Sequence, residues 1–560
     1  MVGLPSRLVP VLAVAAVALA AAGPAGSVTP PATPRAHCGP GSRPEPGMQG
    51  RVPLEAVASG EADAGYSCNA RQVGHEGNGG GFRVHRYVDP AGHVCAYYDT
   101  TLLFPLNAQN LGDQPTGVAV LDMSDPERPE RTETLVTPAM QTPHESLNIS
   151  TRRGLLAAVT GNPAFYPGIV DVYDLTADCR HPQLQASVPI GFFGHESGFA
   201  PDGMTFYATS LFDGHVTAVD LANPRVPVPV TVFDSPSHGM TVSDDGNRAY
   251  IAGRSLGLQI MDVSEIQARK PFPQVHEVSR LTWDTMSIPQ NAIPVTIGGR
   301  RYVVEVDEFS LGEDGGDFPA ENGPRVGAAR IIDVQDETRP KVVSDMRLQV
   351  HQPESRAEID GDPGARSFVQ GYAGHYCNVP RRVDPGIVAC SFILSGLRVF
   401  DVRDPLHPRE IAYFVAPSRP SPIVGDRSNY AMSQPDFVPE RGEIWYSDGN
   451  SGFYVVRLTN GVWPFPRGEA GCLRPSSIAF KLHRVAGTRV VRVEAYANGR
   501  RRLRRSGRDV RRIELTRLPR GGRLAVRVVA THSTGAKVVS SRSWNGCRKG
   551  RLRVRVVRRP

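Results

Sequence analysis

The sequence predicts an all-β protein, a seven-bladed β-propeller followed by a small basic β-sandwich, and three observations lead to this prediction. A phrase of alternating apolar residues that ends in Asp and turns on Pro, as in Gly396 to Pro408, recurs along the chain. Its copies lie 42 to 71 residues apart, and each repeat has room for four short strands. Repeats of this kind are typical of propeller blades. After Cys472 the pattern changes to basic, alternating strands.

The Asp that ends each copy is predicted to stabilise the turn that follows it. Its carboxylate can accept hydrogen bonds from backbone N–H groups within the turn. The six positions are Asp122, Asp174, Asp220, Asp262, Asp333 and Asp401, and Arg457 stands at the seventh.

The two ends of the chain complete the predicted domain plan. Residues 1–22 have the basic start, apolar run and small residues of a secretory signal peptide, and 23–66 form a Pro- and Gly-rich linker or arm. The propeller spans 67–466, and we expect a strand within 67–76 to complete the last blade, which lacks a good fourth strand of its own. Residues 472–550 form the sandwich and 551–560 a basic tail.

The repeated phrases VAVLDMSDPERP, LQIMDVSE and LRVFDVRDPLHP resemble the LVIVD repeat of secreted and surface bacterial β-propellers. The resemblance covers roughly residues 68 to 466. It implies the propeller fold but no activity, because that family has no single established one. The C-terminal segment resembles immunoglobulin-like or fibronectin-type modules appended to secreted bacterial proteins, and Asn498-Gly499 is its strongest hairpin turn.

Eight cysteines in an exported chain indicate disulfides. Cys377 and Cys390 flank one turn symmetrically, so they should face each other across a hairpin. Cys472 and Cys547 bracket the C-terminal module and are expected to close it. Cys38, Cys68, Cys95 and Cys179 remain, and of these we pair Cys68 with Cys95.

The longest insertions all fall between strands whose loops share one face of the ring. They are residues 101–116, 161–168, 307–326, 350–372 and 416–430. Insertions gathered on one face of a repeat protein usually mark the binding face. We call it the long-loop face and predict the ligand there.

A register of histidines points to the mouth of the axial channel on the same side. Tyr207 and Tyr250 follow His195 and His238 by twelve residues, and the same offset in other repeats selects further candidates. These are His85, His144, Asp284 and His375. Imidazoles with a carboxylate suit Zn, Cu or Fe. The other interpretations are that duplicated blades inherit a structural histidine, or that the histidines contact a small anion.

Two further features offer partners of other kinds. Asp307, Glu308, Asp314 and Asp317 belong to an acidic loop that is either a Ca²⁺ site or a solvated loop. Residues 473–560, the C-terminal module with its tail, carry 26 Lys and Arg against 3 acidic residues, so the module is either a tether to an envelope polyanion or a purely structural domain. Nucleic acid is not expected, since the module lacks an aromatic or helical reader.

Two function hypotheses follow. The first is a secreted or surface-retained binding and scaffold protein that takes an extracellular ligand at the long-loop face and is tethered through the basic module. The second is a metal-dependent propeller enzyme, such as an oxidase, that uses the histidine ring. No H-E-x-x-H or P-loop motif occurs, and beyond residues 1–22 no stretch is long and apolar enough to span a membrane.

Overall fold

The structure is a computed structural model. It describes residues 29–102, 112, 114–162, 167–211, 213–311, 325–367, 371–421, 426–464, 477–483, 485–516, 518, 523–545, 548–549 and 553–557. The fold is all-β, and the helices in these ranges are at most five residues long. They are Leu54–Ala58, Pro138–Gln141, Ser264–Gln267 and Arg356–Ile359, with 3-10 turns at Glu61–Ala64, Arg254–Leu256, Gln349–His351 and Pro353–Ser355.

Consecutive antiparallel sheets of four strands make up the first part of the chain, and we number them 1 to 7 in chain order. Sheet 1 contains Val84–Val88, Val94–Asp99, Val118–Asp122 and Glu130–Leu135. Sheet 2 contains Asn148–Ser150, Leu155–Val159, Gly168–Asp174 and Gln183–Gly191. Sheet 3 contains Gly198–Phe199, Thr205–Ser210, His215–Asp220 and Val228–Asp234. Sheet 4 contains Gly239–Val242, Arg248–Ala252, Leu258–Asp262 and His276–Leu281. Sheet 5 contains Ile288–Ile297, Arg300–Glu308, Ala329–Asp333 and Lys341–Met346.

The last two of these sheets each take a strand from the start of the chain. Sheet 6 contains Gly374–Asn378, Ile387–Phe392, Gly396–Asp401 and Arg409–Val415, with Tyr66–Cys68 as a fifth strand. Sheet 7 contains Asp436–Val438, Glu443–Asp448 and Gly452–Leu458, with Ala70–Glu76 as its fourth strand. Of the predicted closing segment 67–76, residues 70–76 therefore lie at the expected place, whereas residues 67 and 68 pair with sheet 6. Two short pairs join Ser310–Leu311 to Arg325–Val326 and Arg419–Ser421 to Asp426–Ser428.

The sheets follow one another around an axis as in a β-propeller. The middle strands of each sheet are apolar on both faces, so each sheet buries side chains against both neighbours. Seven apolar clusters result, each shared by two consecutive sheets, and one of them joins sheet 7 to sheet 1 through Trp445 and Tyr98. At about 25 cal/mol per Å² of apolar surface, this burial is the dominant stabilising contribution.

The Asp residues that end the third strands of sheets 1 to 6 stabilise the following turns. Each carboxylate accepts a hydrogen bond from the backbone N–H two residues further on. The pairs are Asp122–Ser124, Asp174–Thr176, Asp220–Ala222, Asp262–Ser264, Asp333–Gln335 and Asp401–Arg403, at 2.7 to 3.0 Å. Asn and Asp favour such turns because their side chains can satisfy the backbone locally.

The segment before the first repeat packs closely on sheet 6 and on the residues that follow sheet 5. The N–H of Thr33 donates to the carbonyl of Arg347, and the N–H of Glu410 donates to the carbonyl of Pro34. We call residues 29–66 the N-terminal arm. The prediction of a loose arm did not anticipate this packing, because the Pro and Gly residues of the segment gave no sign of the buried polar contacts that it makes.

One such contact is a cluster of three buried charges, which we call the Arg398 cluster. The Arg398 guanidinium donates to the carboxylates of Glu45 and Glu410 and to the carbonyl of Ser395, and all three charged side chains are fully buried. It also lies 4.4 Å from the centre of the Tyr413 ring. The arm thus supplies one of the two carboxylates that pair with an arginine of sheet 6.

The cysteines among the described residues form three disulfides: Cys38–Cys68, Cys95–Cys179 and Cys377–Cys390. The last confirms the predicted hairpin bridge. The predicted pair Cys68–Cys95 is wrong, because Cys68 is bonded to the N-terminal arm and Cys95 links sheet 1 to the turn in sheet 2 that holds Cys179. Cys472 and Cys547 lie outside the described residues.

The C-terminal module contains two sheets. One pairs Ile478–Lys481 with Arg512–Leu515, and the other contains Arg500–Ser506, Val490–Ala497, Arg523–His532, Lys537–Asn545, Arg548–Lys549 and Arg553–Val557. An apolar cluster that includes Val493, Ile513 and Trp544 lies between them. Within the described ranges we find no helix with the length and apolar character needed to cross a membrane.

Candidate metal centre and axial channel

Four of the predicted histidines come together where the innermost strands begin, on the side of the long-loop face. The imidazole centroids of His144 and His195 are 4.6 Å apart, and those of His195 and His238 are 4.5 Å apart. His375 reaches the same place from the opposite side of the axis and shares carboxylate partners with His195 and His238. The twelve-residue register therefore identified four members of one cluster.

Backbone carbonyls of neighbouring sheets orient three of these rings. His195 Nδ1 lies 2.8 Å from the carbonyl oxygen of His238, and His238 Nδ1 lies 2.8 Å from that of Pro289. His375 Nδ1 lies 2.8 Å from the carbonyl oxygen of Met432. A carbonyl can only accept, so Nδ1 must carry the proton in each ring. In a neutral ring the lone pair is then on Nε2, the arrangement found in most metal-ligating histidines.

Two buried glutamates lie among the imidazoles. Glu145 contacts His195 Nδ1 at 3.1 Å and His375 Nε2 at 3.4 Å, while Glu308 contacts His238 Nε2 at 3.0 Å and His375 Nε2 at 3.2 Å. The Tyr376 hydroxyl donates to Glu145 at 2.9 Å. We call His144, His195, His238, His375, Glu145 and Glu308 the histidine–glutamate centre. Two sets of three in it have donor atoms within 4.8 Å of one another: His144, Glu145 and His195, and Glu145, His238 and Glu308.

Burial and charge pairing divide the protonation states within the centre. Burial lowers the pKa of His195 to about 3 and also lowers the pKa of His144, so both rings are neutral. Burial also opposes protonation of His375, but hydrogen bonds to Glu145 and Glu308 outweigh it and raise the pKa of His375 to about 9.

Burial and charge pairing also set the pKa values of His238, Glu145 and Glu308. The pKa of His238 is raised, because Glu308 outweighs the effect of burial. Burial would raise the pKa of both glutamates, but interactions with His238 and His375 hold that of Glu308 at about 2, and interactions with His195 and His375 hold that of Glu145 well below its usual range. Two anions are thus balanced by two protonated imidazoles.

Two of the predicted ring residues lie elsewhere. His85 is one strand position beyond the centre, where its Nε2 lies 2.9 Å from the carbonyl oxygen of Leu147. Phe82 takes the corresponding place, with its ring 4.9 Å from His144 and 5.4 Å from His375. Asp284 is exposed in the loop before sheet 5. The long first hairpin of sheet 5, Ile288–Ile297 with Arg300–Glu308, shifts the twelve-residue offset there.

Only two of the four residues of the predicted calcium loop, Asp307 and Glu308, are among the described residues. Asp307 is fully buried and paired with Arg330 at 2.8 Å, and it also accepts hydrogen bonds from Trp283 and Ser287. Glu308 belongs to the histidine–glutamate centre. Asp314 and Asp317 lie outside the described residues. The sequence placed Glu308 in a loop because the second strand of sheet 5 is longer than its counterparts.

Beneath the centre lies a second polar layer that closes off an axial cavity. Arg83 Nη1 is 3.3 Å from Glu196 Oε1, and both side chains are 2% exposed. Asn291 donates to the same carboxylate at 3.0 Å. Burial raises the pKa of Glu196 to about 7. The buried atoms in and next to this layer that make no hydrogen bond include Arg83 Nη1, His144 Nδ1, Glu196 Oε2, Gln290 Oε1 and Asn291 Oδ1.

A third possible metal-ligating set lies outside the channel. His93 Nδ1 is 2.8 Å from Asp89 and 3.8 Å from Asp178. Asp178 also pairs with Arg180 at 2.8 Å, and Asp89 accepts the N–H groups of His93 and Cys179. These carboxylates already stabilise the turn beside the Cys95–Cys179 disulfide, so this set has a structural role.

Comparisons with known proteins return fold likeness alone. No family model and no curated protein sequence matches the chain. Among solved structures, hydrazine synthase of Kuenenia stuttgartiensis has 12% identity over 68% of this chain and 97% of its own, with a TM-score of 0.41.

Two further similar structures are a WD40 domain and a β-propeller domain. The WD40 domain of Toxoplasma gondii coronin has 10% identity over 78% and 93%, with a TM-score of 0.42. The Cps50 (Swd1) β-propeller domain of Myceliophteria thermophila has 11% identity over 70% and 99%, with a TM-score of 0.43. At such identities we take no ligand or reaction from any of them.

Proposed function

We propose that this chain is an exported binding protein whose seven-bladed propeller, of the LVIVD type, holds one divalent transition-metal ion in the histidine–glutamate centre. The orientation of His195, His238 and His375 by neighbouring carbonyls is the observation that carries this proposal. Imidazole and carboxylate donors favour Zn, Cu or Fe. The three disulfides are compatible with an extracellular location.

The charge balance of the centre supports the same proposal. Glu145 and Glu308 are buried anions that need two positive charges nearby. Protons on His238 and His375 supply these charges, and a divalent ion would supply the same charge if those two protons left. Metal uptake would therefore leave the buried net charge unchanged and would release about two protons.

Elemental analysis of protein exposed to Zn, Cu and Fe, followed by exhaustive buffer exchange, tests the proposal. We expect about one metal ion per chain, and its loss in a His195→Asn/His238→Asn double variant. His407→Asn is the matched control, because His407 is an exposed histidine of sheet 6. A wild-type protein without metal, or an equal loss in the control, would contradict the proposal.

A metal-dependent oxidase is the second candidate function. The observation that favours it is the axial cavity, which extends to Glu196, the residue next to His195. A substrate in the cavity would lie beside the proposed ligand. Oxygen uptake by the metal-loaded protein with thiol, phenol and alcohol substrates checks this candidate, and no turnover with any of them would count against it.

We further propose that the C-terminal sheets form an immunoglobulin-like sandwich that attaches the protein to an envelope polyanion. One face of the larger sheet presents Arg492, Arg501, Arg504 and Arg527 around a single Glu494, and Arg527 lies over the Tyr496 ring at 4.7 Å. Like charges gathered on one face favour a polyanionic partner. Retention on a polyphosphate column should fall in Arg504→Gln/Arg527→Gln and persist in the propeller variant Arg128→Gln.

A further inference from the structure

A cavity of about 370 Å³ lies on the channel axis, on the side away from the long-loop face. The far ends of the innermost strands form its wall, so sheets 1 to 6 all contribute residues. The turns around this opening are short. The volume is in the range of pockets for small ligands, for which several hundred Å³ is usual.

The floor of this cavity carries a buried cation. The Arg83 side chain is 2% exposed, its Nε donates to the carbonyl of Leu147 at 3.0 Å, and its guanidinium lies 5.2 Å from the Tyr376 ring centre. Its Nη1 makes no hydrogen bond, although it lies 3.3 Å from Glu196. A fully buried guanidinium normally satisfies its donors, so this atom is available to an acceptor in the cavity.

The rim of the cavity is also cationic. Arg152 and Arg381 are exposed, and Arg382 is half-buried. Arg382 Nη1 donates to the carbonyl of Val242 and lies 2.9 Å from Asp244. The cavity lining therefore contains four arginines and two acidic residues, Glu196 and Asp244. The concave wall carries an excess of positive charge. Such clefts concentrate anions.

We infer that this cavity binds a small oxyanion, with its carboxylate or phosphate group on Arg83 and its path of entry past Arg381 and Arg382. Guanidinium groups bind planar carboxylates and phosphates through paired hydrogen bonds. The site is distinct from the proposed metal centre, because it opens on the other face and uses different residues.

Titration calorimetry at constant ionic strength, with chloride as the balancing anion, tests the inference. Inorganic phosphate and succinate are the two probes, and succinamide is the uncharged counterpart of succinate. We expect saturable binding of one oxyanion or both and none of succinamide. The probe that binds more tightly identifies the class, phosphate or carboxylate.

The variants separate a built site from general charge attraction. Arg381→Gln and Arg382→Gln should each weaken binding at least fivefold, and Arg83→Met should abolish it. Arg128→Gln, an exposed arginine of sheet 1, is the control and should bind as the wild type does. If Arg83→Met fails to fold, the two rim variants still decide the outcome.

No saturable binding of either oxyanion would overturn the inference, as would equal weakening in Arg128→Gln. The His195→Asn/His238→Asn variant should retain oxyanion binding while it loses metal. Failure of the metal proposal and failure of this inference are therefore distinguishable.

Discussion

The histidine–glutamate centre and the Arg398 cluster are two buried groups of charges that solve the same electrostatic problem differently. Each places two glutamates out of contact with solvent. In the Arg398 cluster the compensating charge is fixed, and the carboxylates also accept hydrogen bonds from Gly50, Gln49 and Ala36. In the histidine–glutamate centre the charge comes from imidazoles that can lose it, and nearby polar atoms lack partners.

This difference separates the Arg398 cluster from the proposed metal centre. The Arg398 guanidinium cannot give up its charge, so the cluster fixes the N-terminal arm on sheet 6, although burial raises the pKa of Glu410. A cluster with titratable cations and unsatisfied atoms can exchange protons for an ion. Buried charge alone does not indicate function, whereas exchangeable buried charge does.

The largest expected effect comes from removing the fixed cation. Arg398→Met leaves Glu45 and Glu410 without their partner and should lower the free energy of unfolding by about 3–5 kcal/mol. Urea unfolding measures the change. Arg409→Met is the control in the same sheet: its side chain is 61% exposed and it pairs with Asp401 at the surface, so we expect less than about 1 kcal/mol. Similar losses in both variants would contradict the comparison.

Removal of an anion from the histidine–glutamate centre should act on binding rather than on folding. In Glu145→Gln an imidazole can release its proton, so the metal-free protein should lose only about 1 kcal/mol of stability. Metal affinity should fall at least about a hundredfold, because loss of a ligating or supporting carboxylate typically reduces affinity by one to two orders of magnitude. A large loss of stability with unchanged metal affinity would show that the centre is structural.

The pH dependence of stability should have opposite signs for His375 and His85 in metal-free protein. The folded pKa of His375, about 9, exceeds its ordinary value of 6.5, so its stabilising contribution is complete below pH 6.5 and is lost as pH rises toward 9. Burial and the nearby Arg83 lower the pKa of His85 to about 3, so its contribution is complete above pH 6.5 and is lost as pH falls toward 3.

The measurement compares unfolding free energies of the wild type, His375→Gln and His85→Gln between pH 4 and 9, with a chelator present. The wild type should lose its advantage over His375→Gln at alkaline pH and its advantage over His85→Gln at acid pH, by about 1–3 kcal/mol in each case. Parallel curves for the two variants would refute the assigned charge states.

The smallest expected effect comes from removing one of the aspartates that cap the repeat turns. Asp401→Ala removes the cap on the N–H of Arg403 and should lower the free energy of unfolding by about 1–2 kcal/mol. Thermal melting is sufficient to detect this. Asp234→Ala, whose side chain is 92% exposed, should change the melting temperature little. No difference between the two variants would show that the repeated Asp does not stabilise its turn.

The parts of the fold that follow from local pattern could be predicted from the sequence. The strands, the six Asp turns and the Cys377–Cys390 hairpin each depend on residues close together in the chain. The register found His195 and His238 because the first hairpins of sheets 3 and 4 both have five-residue turns, and it failed at Asp284 because the first hairpin of sheet 5 is longer. Turn length does not explain the other outcomes, because the hairpins of His144 and His375 have turns of four and eight residues and that of His85 again has five.

What could not be predicted depends on contacts between distant segments. Cys38–Cys68 and Cys95–Cys179 join parts of the chain whose proximity only the packed sheets determine. Glu145 could have been found, since it follows His144 in the triplet His-Glu-Ser that sheets 2 and 3 share. Glu308 could not, because it approaches the axis from a second strand, not from an innermost one.

The position of Ala70–Glu76 in sheet 7 determines the order in which the molecule can be assembled. This strand precedes every repeat, yet its partner is Gly452–Leu458 near the end of the ring. During synthesis or export, Ala70–Glu76 therefore emerges nearly four hundred residues before the strand with which it pairs. Until then both edges are open to wrong partners. The yield of folded protein in an expression host should therefore depend more on protection of the unpaired strand Ala70–Glu76 than on the stability of the folded propeller.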